Sequence, residues 1–189
     1  YINSTAELKT MADVCVTSSN AVKIVRKLPN ENIFFIPDRN LGSYVAEQVP
    51  EKNIILNAGC CPRHVAITTD KVKEAKAAHP NALFAAHPEC TKDVLVQADY
   101  IGSTSGIIDY VVNTNHDEFI IGTVDGVFAE IKKQAQGKKL YTVKDQQVCV
   151  NMKKVTLEKV LDVLAHDTNE VFVEKNLAEK ACAFPVSVL

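Results

Sequence analysis

An imidazole, a carboxylate and a thiol stand within four residues at His87-Pro88-Glu89-Cys90. Pro88 holds His87 in extended backbone, so His87 and Glu89 project to the same side and can relay a proton near neutral pH. A second cluster, GCCPRH at Gly59–His64, sets two thiols and an imidazole in a loop after an apolar segment. A thiolate there needs a cation or oriented donors, which points to a metal or cluster ligand; a Pro62 turn with incidental cysteines is the plainer alternative. Adjacent Cys60 and Cys61 point in different directions, so one of them binds. Cys149 opens a third motif, CVNMKK. Thr17–Asn20 (TSSN) and Gly102–Gly106 (GSTSG) each lie between an apolar segment and a helical pattern. Free N–H groups and the helix dipole favour carboxylate or phosphate there, although either motif alone also serves as a plain N-cap. Two such motifs imply a small polyanionic substrate.

The elements that must position these groups alternate. Short apolar segments at Val14–Thr17, Ile33–Ile36, Ile54–Leu56, Leu83–Ala86, Tyr100-Ile101, Phe119–Ile121, Leu140–Val143 and Val171–Val173 read as strands. Helical spacing predicts helices over Asn20–Leu28 (capped by Ser18 or Ser19), Leu41–Val49 (capped by Asp38 or Asn40), Thr69–Ala78, Thr91–Val96, Ile107–Val112, Val127–Gln136, Thr156–Ala165 and Asn176–Phe184. Ala58–His64 reads as a loop. Strands alternating with helices make an α/β protein with short parallel sheets covered by helices. His87 and Glu89 then sit at a strand's carboxyl end, where such sheets bind ligands.

The sequence also repeats. Shifted by 86 positions, Tyr1 falls on His87, Ala12-Asp13 on Ala98-Asp99, and Ser18-Ser19 on Thr104-Ser105. Ile33–Phe35 falls on Phe119–Ile121, and Cys61 lies 88 positions before Cys149. Each unit thus ends at a cysteine, predicting a composite site between related domains. Because His87 follows a strand, Tyr1 should follow one too, and a preceding segment with its own cysteine is expected. The absence of an initiator Met agrees with a processed, truncated or engineered start.

Composition narrows the partners. Apolar residues make up 47% of the 189, enough for a core, and the formal net charge of −2 gives no support for nucleic acid or a membrane surface. No apolar run approaches the roughly 20 residues of a membrane span, and no signal or transit peptide is evident at Tyr1–Thr10. Of six cysteines, Cys15 and Cys182 read as small core hydrophobes. For Cys60, Cys61, Cys90 and Cys149, metal binding or catalysis outranks disulfides.

YINSTAELKTMADVCVTSSNAVKIV, the GxCxxH of GCCPRH, AHPEC, ADYIGSTSGII and CVNMKKVTLEKV closely resemble bacterial quinolinate synthases, from Tyr1 to about Cys182. The resemblance implies three pseudo-symmetric three-layer α/β/α domains around one [4Fe-4S] cluster, of which two repeats stand here. Residues 1–61 would be the second family domain and 62–149 the third, with 150–189 packing on the absent first. It implies condensation of iminoaspartate with dihydroxyacetone phosphate to quinolinate in de novo NAD synthesis. A cytoplasmic location is implied, with an L-aspartate oxidase or dehydrogenase as supplier. Carried over by motif, Cys61 and Cys149 are two of three cluster ligands, the fourth iron site being open to substrate. Tyr1 and Asn3 contact substrate, and Ser18, Ser103 and Thr104 bind anionic groups. Glu89 is a general acid/base and His87 a substrate or phosphate contact. Cys90 is no family ligand and is structural.

The expected first domain is absent, so the chain alone should not hold the cluster stably. Two other readings remain: a cluster-free α/β module that binds a phosphorylated metabolite, and a zinc- or thiol-dependent hydrolase using Cys61 and His64.

Overall fold

A computed structural model describes residues 1–144 and 147–183. In the first part of the chain, α1 (Ala6–Lys9) and α2 (Ala21–Lys27) precede β1 (Asn32–Phe35), α3 (Arg39–Gln48) and β2 (Asn53–Leu56). Then come α4 (Pro62–Val65), α5 (Thr69–Ala78), β3 (Leu83–Ala86), α6 (Lys92–Leu95), β4 (Tyr100–Ile101), α7 (Thr104–Asn113), β5 (Glu118–Gly122), α8 (Val127–Gln134) and β6 (Lys139–Thr142). A single 3-10 turn at Met152–Lys154 leads to α9 (Leu157–His166) and α10 (Lys175–Cys182).

The strands form two parallel sheets, β1-β2 and β4-β3-β5-β6. This is the α/β class predicted from the alternating segments, with helices layered on the sheets. In the larger sheet, alternate residues face opposite cores. Phe84, Ala86 and Ile120 meet Val72 of α5 and Val94 of α6, while Ala85, Phe119 and Ile121 meet Ile107 of α7 and Ile131 of α8. Each large side chain sealed this way contributes about 1.5–3 kcal/mol of apolar burial. The smaller sheet packs Phe35 against Ile24, Leu41 and Val45 of α2 and α3.

Local chemistry sets the helix starts. Asp38 Oδ1 accepts from Leu41 N at 2.8 Å and caps α3, while Ser103 Oγ accepts from Gly106 N at 3.2 Å and caps α7. Ser18 and Ser19 do not cap α2; its N-cap is Asn20, whose side chain turns back to accept from Thr17 N at 2.6 Å.

Four expectations need correction. Val14–Thr17 pairs into no sheet: Val16 O accepts from Ile2 N at 2.7 Å, and Thr17 O accepts from Asn20 N and Ala21 N at the start of α2. Val171–Val173 is no strand: it lies exposed, with no neighbouring edge among the described residues to satisfy its backbone. Pro62–Val65 is a short helix rather than loop, because Pro62 supplies the φ of a first helical position. Cys182 is exposed rather than core, since α10 turns Ala181 inward. The predicted end of that last helix, Phe184, lies outside the described residues. α9 presents Leu157, Leu161 and Leu164 to solvent, and no element covers them among the described residues.

Gly59 shows how tightly the Cys61 loop is drawn in. Arg39 N donates to Gly59 O at 2.7 Å, and a Cβ on Gly59 would stand 2.6 Å from Pro37 O. Gly59→Ala is therefore expected to force the loop away from the end of β1 and to cost about 1–3 kcal/mol. The urea midpoint measures it; an unchanged midpoint would show that the loop relaxes freely.

Candidate functional site

Carboxyl ends of strands from both sheets converge on one polar cluster. β1 delivers Asp38, β2 leads through Gly59 to Cys61 and His64, β3 runs into His87 and Glu89, and β5 ends beside Thr123. Tyr1 and Ser18 close it from the N-terminal segment.

His64 is central. Its Nδ1 lies 2.9 Å from Glu89 Oε2, a close charge contact too oblique for a well-aligned hydrogen bond. Its Nε2 meets Thr123 Oγ1 at 3.0 Å, and its ring stacks on His87 with centroids 4.6 Å apart. Ligand atoms of Cys61, His64 and Glu89 lie within 4.8 Å of one another. Burial opposes charge on His64, but the close contacts with Cys61 and the Glu89 carboxylate outweigh it and raise the pKa to about 9. Burial likewise opposes the Glu89 carboxylate, and His64 and His87 overcome it, holding its pKa below the usual value. An imidazolium–carboxylate pair thus stands in the protein interior.

His87 is its opposite. Burial, then the neighbouring His64 charge, push its pKa down to about 4. Glu89 N donates to His87 Nδ1 at 3.3 Å, which assigns the proton to Nε2, 3.3 Å from Ser18 Oγ. Two stacked histidines therefore hold opposite charge states at neutral pH, one a cation beside a carboxylate and one a neutral donor aimed at a hydroxyl.

Tyr1 completes the group. Burial, then the Glu89 charge, raise its phenol to about 12, with Ser18 and Glu89 as its polar neighbours. It is a proton donor at any physiological pH. Asp38 Oδ2 accepts from Cys61 N at 2.7 Å, so the residue that caps α3 also orients the thiol. Burial raises the Asp38 pKa against the hydrogen bonds it accepts.

Tyr1, Ser18, Cys61, His87 and Glu89 are therefore brought together. Asn3 is exposed and makes none of these contacts. Ser103 is buried as the cap of α7, with Thr104 exposed after it. They follow β4, whose neighbour Gly102 donates its N–H to Ala86 O at 3.1 Å, one residue before His87. Cys149 stands outside the Cys61 group. Its loop is pinned at the rim, because Gln147 Nε2 donates to Ile121 O at 2.7 Å and to Thr123 O. Cys90 is fully buried, bonded through Sγ to Gly122 O, and burial pushes its thiol up to about 12. It is inert packing.

The sequence reading had no role for Thr123 and gave Asp38 only a capping one. Thr123 directly follows β5 and Asp38 lies three residues past β1, and a polar residue just beyond an apolar strand is the signal that could have found them.

The donor set fits part of an iron–sulfur site: a half-buried thiol at Cys61, a second half-buried thiol at Cys149 on a pinned loop, and oriented donors behind. The family model described as Quinolinate synthetase A protein matches residues 1–185. The chain is 50% identical over 181 residues to the quinolinate synthase of Caldicellulosiruptor saccharolyticus, 51% to that of Fusobacterium nucleatum and 45% to that of Clostridioides difficile. Each match covers 96% of this chain and 60% of the relative's length. The chain belongs to the quinolinate synthetase A family of enzymes.

Proposed function

We propose that this chain supplies the reaction site of a cytoplasmic quinolinate synthase. The reaction condenses iminoaspartate with dihydroxyacetone phosphate, releasing phosphate and water, as the ring-forming step of de novo NAD synthesis. An L-aspartate oxidase or dehydrogenase would supply the iminoaspartate. The observation that carries this reading is the buried meeting of Tyr1, Ser18, His64, His87 and Glu89 in a chain half identical to quinolinate synthases.

Each role follows from charge state. Glu89, anionic and close to substrate space, takes protons from carbon and nitrogen during ring closure. Tyr1 and the His64 cation are the donors that return them. His87 Nε2–H and Ser18 offer neutral donors to a phosphate or carboxylate, with Ser103, Thr104 and Asn3 extending the anion contacts. Cys61 and Cys149 would hold two irons of a [4Fe-4S] cluster, which when bound supplies Lewis acidity at an open iron.

Residues 1–61 and 62–149 would act as two of three pseudo-symmetric units, with 150–189 packing on a third. The exposed apolar side of α9 supports that placement.

The test joins the chain to the remaining residues of the Caldicellulosiruptor saccharolyticus relative and assays quinolinate formation anaerobically. Turnover with a [4Fe-4S] spectrum is expected in the joined protein, and loss of both in Cys61→Ser and Cys149→Ser. A full cluster spectrum and turnover in the chain alone would overturn the three-unit reading. The cluster-free alternative, a phosphometabolite-binding module, predicts that both serine variants keep the parent's affinity for dihydroxyacetone phosphate.

A further inference from the structure

Three consecutive residues at the start of α3 hold two loops that belong to different sheets. Asp38 Oδ2 accepts from Cys61 N and Arg39 N donates to Gly59 O, both at 2.7 Å, so the two fasten the loop after β2. Asn40 reaches the other way. Its Nδ2 donates to the main-chain O of Glu89 at 2.9 Å, in the turn after β3.

Glu89 is buried, and among the described residues Asn40 is the one donor to its carbonyl. A buried carbonyl that loses its donor keeps the full desolvation penalty, so the bond holds the turn firmly. That turn aims the carboxylate. Within it Glu89 N donates to His87 Nδ1 at 3.3 Å, and Cys90 N donates to His87 O at 2.9 Å.

The helix itself gives no reason for Asn40. Asparagine is a weak helix former, and this one is buried rather than solvated. A shift of 86 positions carries it to Gly126, which is exposed and has open space where a Cβ would stand. Helix α8 therefore starts with no side chain at the equivalent place. Asn40, Tyr44 and Glu47 share one side of α3. Tyr44 packs on the cluster that contains Cys90, Val94 and Leu95, and Glu47 Oε1 pairs with Lys92 Nζ at 2.6 Å. The ion pair is open to solvent and adds little. Tyr44 brings α3 against α6; Asn40 supplies the directional bond.

We propose that the first turn of α3 is a clamp, and that Asn40 is the positioning residue that sets the Glu89 carboxylate against Cys61 and His64. Asp38 holds Cys61 N and Asn40 holds Glu89 O, so one turn of helix fixes two loops whose ligand atoms lie within 4.8 Å of one another. Asn40 touches no reacting atom and acts through the main chain of Glu89. The clamp stands on the hydrogen bonds; its effect on turnover rests on the acid/base role proposed for Glu89.

Two variants test it. Asn40→Leu keeps the branched outline and removes the donor. Asn40→Asp suits the first turn of a helix, but its carboxylate has no N–H to give. Hydrogen exchange in the metal-free chain reads the Glu89 and Cys90 amides, with Phe119–Ile121 in β5 as internal reference and Glu47→Gln as the control for a general disturbance of α3. In both Asn40 variants the Glu89 and Cys90 amides are expected to exchange about tenfold or more faster, with the reference amides and Glu47→Gln unchanged. In the joined protein, kcat should fall by about tenfold to a hundredfold, while KM for dihydroxyacetone phosphate stays within about threefold. A misplacement of about 1 Å is enough for such a loss of rate, and the phosphate contacts at His87 and Ser18 remain.

Exchange at Glu89 and Cys90 within about threefold of the parent in both variants would overturn the clamp. So would faster exchange that extends equally to Phe119–Ile121, which would make Asn40 a residue of general stability. Faster local exchange with the parent's kcat would overturn the positioning role. If the joined parent forms no quinolinate, the reading of the reaction fails, and the exchange result still decides the clamp.

Discussion

Glu89→Gln is expected to lower quinolinate formation by about two to four orders of magnitude, the range spanned by loss of a positioned general acid/base. Glutamine keeps the shape of the side chain, so the site should remain folded. What it loses is the capacity to take a proton. A second readout separates this chemical role from a structural one. With the carboxylate gone, the His64 pKa should fall from about 9 towards its ordinary value, because Glu89 is one of the two groups that raise it. NMR titration of His64 in the metal-free chain measures this. Activity within tenfold of the parent in the joined protein would remove Glu89 from the acid/base role.

His64→Ala should produce the largest loss of stability in the site. Both partners of the 2.9 Å contact are nearly sealed from solvent, with side chains 8% exposed. Removing the cation leaves a carboxylate buried beside Tyr1 and His87 with no opposite charge. Breaking one side of a buried pair costs about 3–5 kcal/mol. The pH dependence has a definite sign. The folded-state pKa of His64 lies above its unfolded value, so its contribution is complete below about 6.5 and is lost as pH rises through about 9. Parent stability should therefore fall across that window, and the variant should lack that limb. His87, depressed to about 4, works in the other direction: its contribution is present above about 6.5 and is lost as pH falls towards 4. The double variant His64→Ala, Glu89→Gln should recover part of the loss, because the stranded charge is gone. Urea unfolding of the metal-free chain measures all of these. A cost below about 1 kcal/mol for His64→Ala would show that water reaches Glu89.

The most legible elements were those with local punctuation. α5 runs from Thr69 to Ala78 as predicted, because Thr68 caps it and His79-Pro80 stops it. β3 and β4 also match residue for residue, β3 stopping at His87-Pro88 and β4 lying between Asp99 and Gly102. Val14–Thr17 and Val171–Val173 read the same way in sequence, yet neither pairs. A strand is completed by a neighbouring edge, and an apolar run carries no information on whether that edge is present. Cys182 failed for a related reason: helical spacing shows which residues share a face but not which face a neighbour covers.

By itself the sequence determined the α/β class, the 86-residue repeat, and most of the residue types at the site. Those properties live in spacing, and spacing is local. Only the tertiary structure decided the electrical character of the site. His64 and His87 are the same side chain with the same intrinsic pKa. One sits against Cys61 and Glu89 and keeps its proton; the other sits behind it, sealed and facing a like charge, and gives its proton up. That difference comes from burial and from charged neighbours on other elements, Glu89 beside His64 and the His64 cation beside His87. The fold supplied them.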